Sequence, residues 1–148
     1  MIREWTAADG KASDRVAVFM KMFEEASGMV QVNIEYTHKK YQKLMESGIV
    51  KIYIAETDEQ IIQGAIGFML SGDLHDGKLV GIETFWFVDP SYRGIGKELF
   101  NTFEKEAKEL GCEKLAMIHM VDSYPDTLKA FYERQGYKLL ELHYIKEI

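Results

Sequence analysis

The chain has 148 residues, a formal net charge of −6, 47% hydrophobic and 28% charged residues, two prolines and one cysteine. This predicts one globular domain over residues 1–148, able to bury roughly two-thirds of its unfolded surface without staples. The composition argues against disordered tracts, and the acidic balance argues against nucleic acid or an anionic membrane as the main partner. An internal disulfide is excluded, and with no apolar leader and no run of 18 apolar residues the expected location is cytoplasmic.

Residues 1–5 read as a short strand and residues 6–10 as a polar turn. Ser13 or Asp14 is a candidate cap for a helix through Phe23, with Val16, Phe19, Met20 and Phe23 at helical spacing. Residues 37–45 suggest a second helix. The stretch between, residues 26–36, is neither periodic nor rich in turn residues, and is either a substrate-facing segment or an irregular connection. Residues 49–56 and 61–70 alternate as two strands of a meander joined by a polar turn, and Gly64 and Gly67 interrupt the second. A turn-rich connector then leads to residues 80–88, an apolar strand broken only by Gly81 and Glu83. Asp89-Pro90 closes it.

A helix is predicted from Gly96 or Lys97 to Gly111, with Leu99, Phe103, Ala107 and Leu110 on one face. Cys112 opens the next strand, residues 114–120, and reads as a structural thiol more readily than as a nucleophile. Ser123 with Asp126 resembles a capping box for a short helix over residues 126–135, ended by Gly136. Residues 137–148 supply a last strand. The resulting plan is mixed α/β: a central, mostly antiparallel sheet with one parallel strand-helix-strand crossover and helices on both faces.

The join between strand 80–88 and the long helix carries the functional signal. Gly94 and Gly96 allow a tight bend and close approach of a ligand, and the first-turn N–H groups of a helix have no internal partner. With Arg93 and Lys97 beside them, these groups suit a phosphate or pyrophosphate; alternatively, the glycines only make a turn. Neither the G-x-x-x-x-G-K-[ST] loop nor the full G-x-G-x-x-G fingerprint is present.

Three stretches give the sequence a family likeness: Val88-Asp-Pro-Ser-Tyr-Arg-Gly-Ile-Gly96 running into a helix, the Glu-Ala-Lys-Glu-Leu-Gly-Cys ending of that helix, and Phe131-Tyr-Glu-Arg-Gln-Gly-Tyr137. Together they resemble the GNAT superfamily of acyl-CoA-dependent N-acetyltransferases and cover roughly the last 70 residues. The resemblance implies acetyl-CoA as cosubstrate, with backbone groups of Trp86, Phe87 and Val88 holding the pantetheine arm. The N–H groups of Arg93, Gly94, Ile95, Gly96 and Lys97 would hold the pyrophosphate. It also places Tyr132 at the family's general-acid position, where a phenol protonates the departing thiolate; taken alone, Tyr132 reads as a packing aromatic. Two departures stand out. Ser91 occupies the position of the family's Gln or Arg in a loop that looks about two residues shorter, and Pro125 stands where an asparagine is common.

An amine acceptor must lose a proton before it attacks, since an alkyl ammonium has a pKa near ~10.4. Glu83, within an apolar strand, is the first candidate base, directly or through a water, with a structural carboxylate as the alternative. His119 is the second candidate base. His38, His75 and His143 share no metal-ligand spacing with one another or with Cys112, so no metal is expected. The reading is therefore direct acetyl transfer to a primary amine of a small molecule or a protein. Its alternative is a non-catalytic acyl-CoA-binding module. The acceptor is not readable from the sequence, and the aromatic-rich tail is a candidate for pairing two chains.

Overall fold

A computed structural model of the chain describes residues 1–9, 14–28 and 31–148. These fall into two units, Met1–Ile118 and His119–Ile148. In the first, β1 (Ile2–Trp5), β2 (Val50–Glu56), β3 (Ile62–Gly72), β4 (Leu79–Val88) and β5 (Lys114–Ala116) form one sheet in the order β1-β2-β3-β4-β5. The first three pairings are antiparallel, whereas β4 and β5 run parallel. That parallel pair is the crossover through α3 (Ile95–Glu109), as parallel neighbours require.

Period-two alternation along the strands feeds two cores. One side of the sheet gathers Trp5, Ile52, Ile54 and Ala65 with Phe87, and it is covered by Val16 and Phe19 of α1 (Asp14–Ser27) and by Tyr41, Leu44 and Met45 of α2 (Ile34–Glu46). The other gathers Tyr53, Ile66, Phe68 and Trp86 under Leu99, Phe103 and Ala107 of α3. Phe68, Phe100 and Phe103 are among the largest fully buried side chains, and each such burial stabilises by roughly 2–3 kcal/mol. Helices thus cover both faces, as the sequence predicts.

Helix ends differ from the expectation for local reasons. The proposed Ser13 cap and Gly10 lie outside the described residues. α1 runs four residues beyond Phe23, to Ser27, whose hydroxyl donates to the Glu24 carbonyl before Gly28 turns left-handed at φ 67°. α2 starts three residues earlier than the apolar spacing suggests, because the Asn33 side chain accepts the Tyr36 N–H at 3.0 Å and caps it. Of the ambiguous stretch, residues 26–27 thus belong to α1 and residues 34–36 to α2.

The strands deviate at β4 and β5. Gly67 pairs with Phe85 and Phe68 with Glu83, so Thr84 is an extra residue in β4, a β-bulge. A Cβ built on Gly67 would lie 2.5 Å from Phe85 Cε1 and 2.8 Å from Thr84 Oγ1, which leaves room only for hydrogen. β5 ends at Ala116 instead of reaching Met120, because the Ile118 N–H leaves the ladder for the Glu83 carboxylate. At its other end Lys114 is clamped by Asp73 (3.0 Å) and Asp76 (2.7 Å) of the β3–β4 connection.

In the second unit, α4 (Pro125–Arg134) replaces the capping-box start with a proline start. Its N-cap is Tyr124, at φ 46°, with no side-chain cap, while the Ser123 N–H is spent on the Met120 carbonyl. Residues 137–148 carry no strand: the sheet order ends at β5, and Leu139, Leu140, Leu142, Tyr144 and Ile145 are exposed. Adjacent Leu139 and Leu140 break strict alternation, and a strand without a ladder partner has nothing to satisfy its backbone.

Gly67→Ala should therefore destabilise the protein by about 1–3 kcal/mol, the cost of overpacking a filled site. Urea unfolding reads this as a lower midpoint at unchanged slope; an unchanged midpoint would mean that the bulge does not need the glycine.

Candidate active site

The site is built from the end of β4 outward. Beyond the bulge, Trp86 and Val88 turn to the α3 side, where the Trp86 ring lies 5.8 Å from Phe100, and Phe87 turns to the α1 side, 5.2 Å from Phe19. β4 stays paired with β3 as far as Val88, but its ladder with β5 stops at Ile82. Among the described residues no strand pairs with that edge of β4 from Glu83 onward.

Asp89 shapes the loop that follows. Its N–H donates to the Gln63 carbonyl, its carbonyl accepts the Tyr92 N–H, and its carboxylate accepts the Ser91 N–H, each at 2.8 Å. The side chain thereby sets an Asx turn just after the strand. The chain then reaches Gly94, at φ 100°, a conformation favoured by glycine, and enters α3 with no side-chain cap. The first-turn N–H groups are thus left to a ligand or solvent, at the helix end that carries about half a positive charge. Arg93 and Lys97 are exposed beside them. Gly96 rests against Val88 Cγ2 and the Trp86 ring, at 3.4 and 3.6 Å from its would-be Cβ. All eight residues predicted to bind the cofactor are thus gathered at the strand end, the loop and the first helical turn. These donors, with the open space around Gly94, fit an anionic phosphate group.

Glu83 sits where β4 and β5 part. It is 5% exposed and its Oε2 accepts the Ile118 N–H at 2.9 Å. Burial pushes its carboxyl up to about 7, and the Ile118 hydrogen bond only partly opposes this. Tyr41 of α2 stands over the same part of β4, its ring 5.7 Å from Phe85, and burial raises its phenol pKa. Cys112 is half-buried near Gly81, and burial raises its thiol, the opposite of what a nucleophile needs.

The second unit brings the other two predicted residues together. The His119 and Tyr132 rings are 6.0 Å apart, edge to face, and Tyr132 also meets Phe131 and Tyr137. His119 Nε2 is buried and has no hydrogen-bond partner among the described residues. His75 and His143 face Asp73 and Glu141, and among the described residues no group of His, Cys, Asp and Glu could hold a metal.

Sequence reasoning missed Gly67 as the residue that admits the bulge and Asp89 as the one that shapes the loop. A glycine inside an apolar strand and the Asp-Pro-Ser run were the available signals.

A model of the Acetyltransferase (GNAT) family matches residues 16–137. The chain belongs to this family. It is accordingly an acetyl-CoA-dependent acetyltransferase. Solved structures agree on the fold. A probable acetyltransferase superposes with a TM-score of 0.76 at 21% identity, covering 100% of this chain and 97% of its own. A predicted acetyltransferase from Clostridium acetobutylicum, solved with acetyl-CoA, gives 0.73 at 19% identity, covering 97% and 95%. An aminoglycoside acetyltransferase from an uncultured soil metagenomic sample, in complex with sisomicin, gives 0.74 at 18% identity, covering 100% and 95%. No curated protein sequence matches significantly.

The raised Glu83 carboxyl makes a stability prediction. Between the unfolded value near ~4.3 and about 7 the folded state holds a proton that the unfolded chain has lost. Glu83's contribution is therefore full below that window and falls as pH rises through it, by an amount of order 3 kcal/mol. In Glu83→Gln, which can still accept the Ile118 N–H, this decline should vanish from unfolding curves measured across pH 4–8. A decline that persists would show that Glu83 titrates normally.

Proposed function

We propose that this GNAT enzyme transfers the acetyl group of acetyl-CoA directly to a primary amine of a small molecule or a protein. The observation that carries the proposal is the juxtaposition of an uncapped α3 N-terminus at Gly94 with a β4 edge that outruns its neighbour β5. A strand edge suits an extended, amide-bearing chain, and a helix N-terminus suits a diphosphate. In this reading backbone groups of Trp86, Phe87 and Val88 hold the pantetheine arm. The N–H groups of Arg93, Gly94, Ile95, Gly96 and Lys97 hold the pyrophosphate, with the Arg93 and Lys97 side chains adding charge.

Acetyl-CoA supplies an acyl group already activated as a thioester. The protein's part is to move protons. Glu83, its carboxyl raised to about 7 by burial, takes the proton from the acceptor ammonium, directly or through a water. His119, whose Nε2 lacks a partner among the described residues, is the second candidate for that step. The Tyr132 hydroxyl holds the proton that passes to the departing sulfur. With the Cys112 thiol raised by burial, no acyl-cysteine intermediate is invoked.

Three measurements test these roles. Gly96→Glu, which places a carboxylate in the first helical turn, should abolish acetyl-CoA binding in calorimetric titration while the circular dichroism spectrum is retained; binding that survives would move the pyrophosphate elsewhere. Tyr132→Phe should lower kcat by roughly 10²-fold or more with acetyl-CoA affinity unchanged. The acidic limb of kcat/KM near pH 7 should disappear in Glu83→Gln, since a protonated Glu83 cannot act as base; a limb that stays assigns the base to another group.

A further inference from the structure

A cleft of about 400 Å³ opens on the first unit between α1 and the β2–β3 connection, on the α1/α2 side of the sheet. Its walls are apolar: Val18, Phe19 and Met22 from one side, Ile61 and Ile62 from the other. Val18 is 59% and Ile61 48% exposed, so the cleft presents apolar surface to solvent. The volume lies in the range of pockets that hold small molecules.

Charge decides the occupant. Glu59 and Asp89 also line the cleft, and among the described residues no lysine, arginine or histidine does. Neither carboxylate forms an ion pair among the described residues, although most other acids near the sheet do, as Glu4, Glu56 and Asp73 show. Asp89 spends Oδ1 on the Ser91 N–H, which leaves its other oxygen for a ligand. An anion would meet two like charges, whereas a cation is answered by both.

We infer that this cleft is a binding site for a small organic cation with an apolar body, an alkylammonium or quaternary ammonium compound, separate from the acetyl-transfer site. The alkyl part lies against Val18, Met22 and Ile61, and the cationic head sits between Glu59 and Asp89, near the Phe19 ring. Asp89 also sets the turn leading to Gly94, so the cation's counter-charge is the same side chain that shapes the phosphate loop. The site stands whether or not the assigned acid and base are correct.

The test is a methyl-resolved NMR titration of the full chain with n-hexyltrimethylammonium, which has no N–H and so cannot act as an acetyl acceptor. Saturable shifts confined to Val18, Met22, Ile61 and Ile62 are expected, with sodium hexanoate giving none. Glu59→Gln should weaken binding about three- to five-fold, the scale of an exposed charge pair. Val18→Lys, at an exposed position that tolerates a long side chain, should abolish binding by supplying a tethered ammonium; the methyl spectra of both variants report that they are folded. Equal shifts with hexanoate, shifts centred elsewhere, no saturation, or an unchanged affinity in Glu59→Gln or Val18→Lys would overturn the site.

Discussion

The active-site half of the first unit depends on one buried hydrogen bond, from the Ile118 N–H to the Glu83 carboxylate. Where a parallel ladder would continue, β4 offers a side chain in place of backbone. β5 is thereby released after three residues, and among the described residues no strand pairs with the rest of that β4 edge, next to the helix entry. The bulge at Thr84 works in the same direction. It adds a residue to β4 and exchanges its faces, so that Trp86 and Val88 support Gly96 and the first turn of α3 while Phe87 anchors the α1 side. Fold and site therefore rest on a shared irregularity in one strand.

Burial gives Glu83 two properties at once. Accepting the Ile118 N–H is a structural duty that any acceptor oxygen meets. Keeping the group away from water raises its carboxyl toward neutrality, which is a chemical property that only an acid has. The structural and catalytic readings of this residue thus describe one environment, and neither displaces the other.

Much of this was legible in the sequence because it rests on short-range rules. The β4 strand, the Gly-x-Gly entry to α3 and the apolar face of Leu99, Phe103 and Ala107 follow from periodicity and from glycine's freedom at φ 100°. Other features were not legible because their causes lie far along the chain. Nothing near residue 118 says that its N–H will find a side chain 35 positions earlier, and Gly67 explains itself only when Phe85 is set opposite it. The α4 start was misread because Ser123 matched a capping pattern locally while its own N–H was already committed to Met120. The expected last strand failed for the complementary reason: residues 137–148 have strand-forming side chains, but pairing is a property of two segments and composition describes one.

The absence of a side chain at position 67 also bears on how this sequence is free to drift. The Phe85 ring fills the space in which a residue larger than glycine would stand, so an exchange at 67 costs least when the residue at 85 shrinks with it. Yet Phe85 is also the ring against which Tyr41 and Phe23 pack. The four positions are therefore coupled through one ring, and a change at any of them alters the packing of the others.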